Sequence, residues 1–173
     1  MGSLQLSKLH VNEINAKDSA NTAMTIDSGG KVLFPNTPRF HARLSANQSI
    51  PDSADTLLQL NTVDYNVGSY YNTSTYRFTP PAGVYCITFM VTINSSTPDY
   101  VLGRIFKNGS NGILDHRGME SNAANAYVSC NGTVQAYLNG TDYIDFRVQH
   151  NVNSAADASS TVGQTFACGF LIG

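Results

Sequence analysis

The side chains of this 173-residue chain able to do chemistry are four histidines (His10, His41, His116, His150), three cysteines (Cys86, Cys130, Cys168) and a scatter of carboxylates. The histidines show neither HExxH nor His-x-His spacing, so a zinc site would have to be assembled from distant segments. The cysteines form no CxxC pair and are odd in number, which points to neither a metal knuckle nor a disulfide framework. They read as buried free thiols, which behave as small hydrophobes. Asp115-His116 could supply part of a nucleophilic triad, but no Gly-x-Ser-x-Gly elbow accompanies it. Asp52, Asp55, Asp64, Asp115, Glu120, Asp142 and Asp145 could furnish a glycosidase pair, which needs a separation of roughly 5–10 Å. With only two glutamates and no Trp to form a sugar platform, the chain is predicted not to be an enzyme, and a polysaccharide depolymerase is a second alternative. There is no P-loop and no GxGxxG, and Gly103 and Gly109 read as local backbone geometry. No cofactor and no metal are expected, since even a calcium site of Asp and Asn oxygens lacks EF-hand spacing.

The elements that must position these groups follow from composition. Hydrophobic residues make up 42% of the chain and charged residues 13%, about half the usual charged share of roughly 25%. Asn, Ser, Thr and Gly must therefore cover the surface, and they favour turns and exposed strand faces over helices. A formal charge of −2 with no basic run excludes a polyanion-tracking protein, so no nucleic acid is expected. No stretch approaches the 18 apolar residues of a membrane span, and no secretory signal is seen, so no membrane insertion is expected.

Two regions differ. In residues 1–38 an apolar series, Leu9, Val11 and Ile14, precedes Ile26-Asp27-Ser28-Gly29-Gly30-Lys31-Val32, a turn signal between short apolar runs that predicts a hairpin. This segment is too small to fold alone and needs a partner. From residue 39 to 173 period-two alternation dominates. Phe40, Ala42 and Leu44 alternate with polar residues, and Tyr85, Ile87, Phe89, Val91 and Ile93 alternate with Cys86, Thr88, Met90 and Thr92. Further strands are predicted at 101–106, 126–130, 134–138, 143–149 and 165–172, separated by turns at Asn108-Gly109, Asn131-Gly132 and Asn139-Gly140, with loops over 111–125 and 153–161. The fold class is an all-β antiparallel sandwich behind a short β-hairpin-like adaptor.

Several stretches together resemble the globular domain of the C1q family. They are Val63-Asp64-Tyr65-Asn66, then Phe78-Thr79-Pro80-Pro81-Ala82-Gly83-Val84-Tyr85, Phe106-Lys107-Asn108-Gly109, Tyr137-Leu138-Asn139-Gly140 ahead of Asp142, and the ending Gly169-Phe170-Leu171. The resemblance implies a jelly roll of the kind shared with tumour necrosis factor ligands, assembled as a homotrimer. Thr141 separates a Gly and an Asp that adjoin in the family, and Phe166 stands one residue further than usual from Gly169; a bulge or a divergent branch would explain both, and the pairing register of the last strands turns on which. The segment Leu9 to Asn15 with Thr25 to Val32 is similar to leaders of tailed-phage structural proteins.

The function these readings imply is a virion subunit, a homotrimeric tail-fibre or appendage protein that docks through its N-terminal segment and binds a host surface or caps the fibre. A secreted C1q-like or cytokine-like ligand is the first alternative. The second face of the long strand, Cys86, Thr88, Met90 and Thr92, is only mildly polar and is the candidate trimer interface. Candidate contacts to a host receptor or glycan are Tyr70, Tyr71, Asp115, His116, Arg117 and Glu120, the Tyr pair being equally readable as packing. Docking candidates are Leu9, Val11, Ile14, Ile26 and Val32.

Overall fold

A computed structural model describes residues 13–15, 22–94, 100–118 and 127–173. Leu9, Val11 and Glu120 lie outside the described residues. Every regular element among those described is a strand. The chain divides into two compact units, 1–37 and 38–173.

In the first unit β1 (Glu13–Asn15), β2 (Thr22–Ile26) and β3 (Val32–Leu33) form an antiparallel meander. The β2–β3 turn closes because the Asp27 carboxylate accepts the N–H groups of Gly29 and Lys31, both at 2.9 Å, while Gly30 adopts φ +80°. Ile14, Val32, Leu33 and Phe34 are exposed.

The second unit is a jelly-roll sandwich of two antiparallel sheets. The larger contains β4 (Arg39–Arg43), β5 (Gln48–Ile50), β7 (Thr62–Val67), β10 (Gly83–Asn94), β13 (Tyr127–Leu138), β15 (Ala156–Ala158) and β16 (Phe166–Leu171). The smaller contains β6 (Thr56–Leu57), β8 (Tyr71–Asn72), β9 (Arg77–Phe78), β11 (Val101–Lys107), β12 (Asn111–Gly118) and β14 (Ile144–His150). β10 is the spine. Its odd-numbered side chains Tyr85, Ile87, Phe89, Val91 and Ile93 are fully buried and meet Ile105, Phe146 and Val148 from the smaller sheet. Phe40 stacks on Tyr71 at 4.8 Å and meets Phe78 at a tilt, centroids 4.4 Å apart, joining the sheets at one end.

Four local expectations are corrected. Asn131-Gly132 is no turn: both residues continue β13, opposite Met90 and Phe89, because β10 offers an unbroken partner along its whole length. Residues 111–118 are the strand β12 rather than loop, paired to β11, and part of the 153–161 stretch forms β15. The last strand carries no bulge, since β16 pairs in continuous register with β10 and with β4. The extra residue is absorbed upstream, where the Asn139 carboxamide oxygen accepts the N–H groups of both Thr141 and Asp142, at 2.9 and 2.8 Å, and the Thr141 hydroxyl.

The family-like motifs at this end lock two turns together. The Asn108 amide donates to Asp142 at 2.8 Å and its oxygen accepts the Tyr143 N–H, while Lys107 Nζ lies 2.8 Å from the same carboxylate. Lys107 and then Asn108 hold the Asp142 carboxyl below the usual carboxylate range. The folded value being depressed, this stabilisation is complete above the ordinary carboxylate pKa and is lost as pH falls through the folded value. Asp142→Ala is therefore expected to lower the unfolding midpoint at neutral pH, and to narrow the gap from the parent as an acid titration followed by circular dichroism proceeds.

Candidate functional site

The outward face of the larger sheet is built by the register of five strands. Cys86 of β10 sits between Gln135 and Phe170, Thr88 between Thr133 and Cys168, and Met90 between Asn131 and Phe166. On the far side of β16, Cys168 is opposite His41 and Phe170 opposite Arg39, and His41 is opposite Tyr65 of β7. The result is a face on which aromatic, thiol, thioether and small hydroxyl groups stand among the polar Asn131, Gln135, His41 and Arg39. Phe170 is 47% exposed, Tyr65 47%, Tyr127 57% and Tyr137 60%, an apolar content that bulk water alone does not favour. The polar groups within it are matched internally. The Thr88 and Thr133 hydroxyls are 2.8 Å apart, and His41 and Arg43 both bind Asp64, at 2.7 and 3.2 Å. Arg43, the strongest influence, holds the Asp64 carboxyl below its usual range. Burial pushes the Cys168 thiol up, as does nearby Cys86, which leaves Cys168 a poor nucleophile.

Three of the four interface candidates, Cys86, Thr88 and Met90, lie half-buried on this face. Thr92 does not. It is 1% exposed, its hydroxyl bonded to Ser129 and to the Gln164 carbonyl within the protomer. The sequence reading missed Phe166, Cys168, Phe170, Tyr65, Tyr127 and Tyr137, whose only signal was alternation within their own strands.

The receptor-contact candidates separate. Tyr71 is 3% exposed and donates its hydroxyl to the Leu60 carbonyl at 2.9 Å, and burial raises its phenol pKa. It is a core residue, and Tyr70 packs partly against the same core. Tyr71→Phe is expected to cost about 1–3 kcal/mol, because a buried carbonyl loses its donor, with urea unfolding as the measurement and no change in solution mass. Asp115, His116 and Arg117 sit on the edge strand β12 and are exposed. Asp115 turns to Arg104 at 3.5 Å, Arg117 lies over the Tyr100 ring at 4.3 Å, and His116 Nδ1 is 3.3 Å from Cys130 Sγ. Burial raises the Cys130 thiol, which donates to the His116 carbonyl at 2.6 Å, so this pair is a packed contact and not an activated nucleophile.

Of the glycosidase candidates described, Asp52 accepts the Ser53 hydroxyl and the Asn153 N–H, and the others lie beside cations. Asp55 bridges Arg104 and Arg147, and Asp145, 1% exposed, also pairs with Arg147. The depressed carboxyls Asp64 and Asp142 are the opposite of the raised general acid that such a reaction needs. Among the described residues no three His, Cys, Asp or Glu side chains converge as a metal site. Of the docking candidates described, Ile14 and Val32 are exposed and Ile26 is half-buried.

The fold is that of solved structures of murine APRIL (TM-score 0.61, 16% identity, 79% of this chain and 99% of that one), Eiger TNF from S. frugiperda (0.60, 12%, 79% and 92%) and the globular domain of zebrafish complement 1qA (0.56, 16%, 79% and 98%). No curated protein matches the sequence. The family model described as the C1q domain matches residues 39–172, which is most of the chain, and so this protein belongs to the C1q domain family.

Proposed function

We propose that the chain is a homotrimeric appendage subunit of a tailed-phage virion, docked by its N-terminal segment and presenting the C1q domain for host-surface binding or fibre capping. The observation that carries the assembly is the outward face of the larger sheet. Its exposed Phe170, Tyr65 and Tyr137 around half-buried Met90, Cys86 and Cys168 resemble the apolar centre of a protein interface more than a solvated sheet. Jelly rolls packed about a threefold axis by this face would bury it, which agrees with the homotrimer implied by membership of the C1q family. The docking role is supported by the first unit, whose Ile14, Val32, Leu33 and Phe34 are exposed, and by its likeness to phage leaders. Binding rather than catalysis is supported by carboxylates neutralised by cations and by the family, whose domains are in general non-enzymatic binding domains.

Two measurements test this. Light scattering on the full chain is expected to return about three times the 18.6 kDa protomer, and a monomer at micromolar concentration would overturn the assembly. Antibodies against the domain are expected to label particles in electron micrographs of the source lysate. A trimer found free in the medium with unlabelled particles would instead favour the secreted-ligand reading.

A further inference from the structure

An open groove of about 520 Å3 lies beside β5, at an edge of the larger sheet where the chain crosses to the smaller one. Its cause is one side chain. The Gln48 carboxamide accepts the Gln59 N–H and donates to the Leu57 carbonyl, both at 2.8 Å. It thus joins β5 to the 57–59 segment where a backbone ladder would have drawn them together. The strands are held a side chain apart, and the groove opens between them.

The lining sets the neutral polar side chains Ser45, Asn47, Ser49, Gln59 and Asn61 among the small apolar Ala46 and Pro51, and includes no ionisable or aromatic side chain. Two carboxamides are fixed in orientation by their oxygens. Asn61 accepts the Ser45 N–H at 3.0 Å, and Asn47 accepts both the N–H and the hydroxyl of Ser160, at 2.8 and 2.9 Å. Each then has an NH2 group without a partner among the described residues, on a side chain that lines the groove with its torsions already set. Asn47 thereby uses both lone pairs of its oxygen and Asn61 one, and each keeps its NH2 donors; a donor ordered beforehand loses little freedom on binding.

The geometry points to this groove as a binding site for a neutral oligosaccharide. Sugar hydroxyls accept from the two fixed amides and donate to the Gln59 oxygen and the serine hydroxyls. An acidic glycan would want a cation that the lining lacks. An extended peptide would want either a free strand edge or an apolar socket, whereas Gln48 already occupies the space along β5 and, of the apolar lining residues, Leu44 is only 2% exposed while the exposed Ala46 and Pro51 carry no large side chain. Without an aromatic platform each site is weak, and useful affinity comes from several copies engaging one surface. The inference rests on the proposed outward-binding role only for that last step.

The test is a titration of the full chain with four neutral hexaoses (maltohexaose, cellohexaose, chitohexaose and mannohexaose), watching the side-chain NH2 resonances of Asn47 and Asn61 by 15N NMR. At least one hexaose is expected to shift both pairs, equally at low and high NaCl. Asn61→Asp keeps the oxygen that accepts from Ser45 and removes the donor, so it is expected to weaken binding about ten-fold with unchanged unfolding temperature. Silence with all four sugars, shifts confined to other residues, an acidic oligosaccharide or extended peptide shifting these resonances in their place, or wild-type binding by Asn61→Asp would each overturn the site. Light scattering on the same sample keeps the two ideas apart: a silent trimer sinks the groove alone, and a monomer that shifts sinks the assembly alone.

Discussion

Thr88→Lys is expected to take the proposed trimer apart into folded monomers. Thr88 lies at the middle of the larger sheet's outward face, with Thr133 on one side, Cys168 on the other, and Cys86 and Met90 above and below along β10. In a monomer the lysine stem would lie along Met90 and Cys168 with its ammonium in water, so the fold should survive. At a threefold axis the same substitution buries three like charges with no partner. Leaving a charge buried and unpaired costs about 3–5 kcal/mol. Even one such penalty raises the dissociation constant at least about a hundred-fold, since each 1.4 kcal/mol is a factor of ten. Light scattering should report the 18.6 kDa protomer with an unchanged far-ultraviolet circular dichroism spectrum. Thr88→Val, which loses only the hydroxyl contact to Thr133, should stay trimeric. A lysine variant that remains a trimer would mean that another surface meets the axis.

The second large effect is in the core. A Cβ placed on Gly103 would stand 2.4 and 2.6 Å from the Phe89 ring and 3.1 Å from Cys130 Sγ. Phe89 is fully buried against Phe146, so its ring has nowhere to retreat. Gly103→Ala is expected to destabilise by about 1–3 kcal/mol, the usual cost of overfilling a packed interior, and Gly103→Val by more. Phe89→Leu alone should also destabilise, by leaving a void. The double variant Gly103→Ala/Phe89→Leu is expected to lose less than the sum of the two, because the added methyl occupies space the ring gave up. Urea unfolding of the four proteins measures this coupling, and strict additivity would refute the steric account.

These cases show where sequence was informative. The alternation from Tyr85 to Ile93 placed the spine strand and its two faces without ambiguity, because a period of two has one solution once the buried side is known. Which residues complete the outer face was not legible, since Phe166, Cys168 and Phe170 join Cys86, Thr88 and Met90 only through the pairing register. Tyr70-Tyr71 illustrates a related ambiguity. Neighbouring residues on extended chain point to opposite sides, and nothing local told which ring would enter the core. Strand β12 was hidden because Asp115, His116 and Arg117 on an edge strand carry little apolar alternation, leaving Ile113 and Leu114 as its partial contact with the core. Asn131-Gly132 misled for the opposite reason, a favourable turn dipeptide overridden by a continuous partner. Gly103 and Gly109 both read as local geometry. Gly109 does have a positive φ of +72°, but Gly103 is glycine for want of space. The groove beside β5 was invisible because its cause, a side-chain amide bridging residues eleven apart, leaves no periodic trace.

The strand that receives the N-terminal segment has a mechanical consequence. β4 begins at Arg39 and is enclosed on both sides, by β16 and by β7. Antiparallel hydrogen bonds run perpendicular to their strands. A pull delivered through residue 38 along β4 therefore loads both ladders in shear, many bonds at once, where an edge strand peeled sideways would give way one bond at a time. A domain tethered in this manner should withstand traction on its leader better than its modest size would imply.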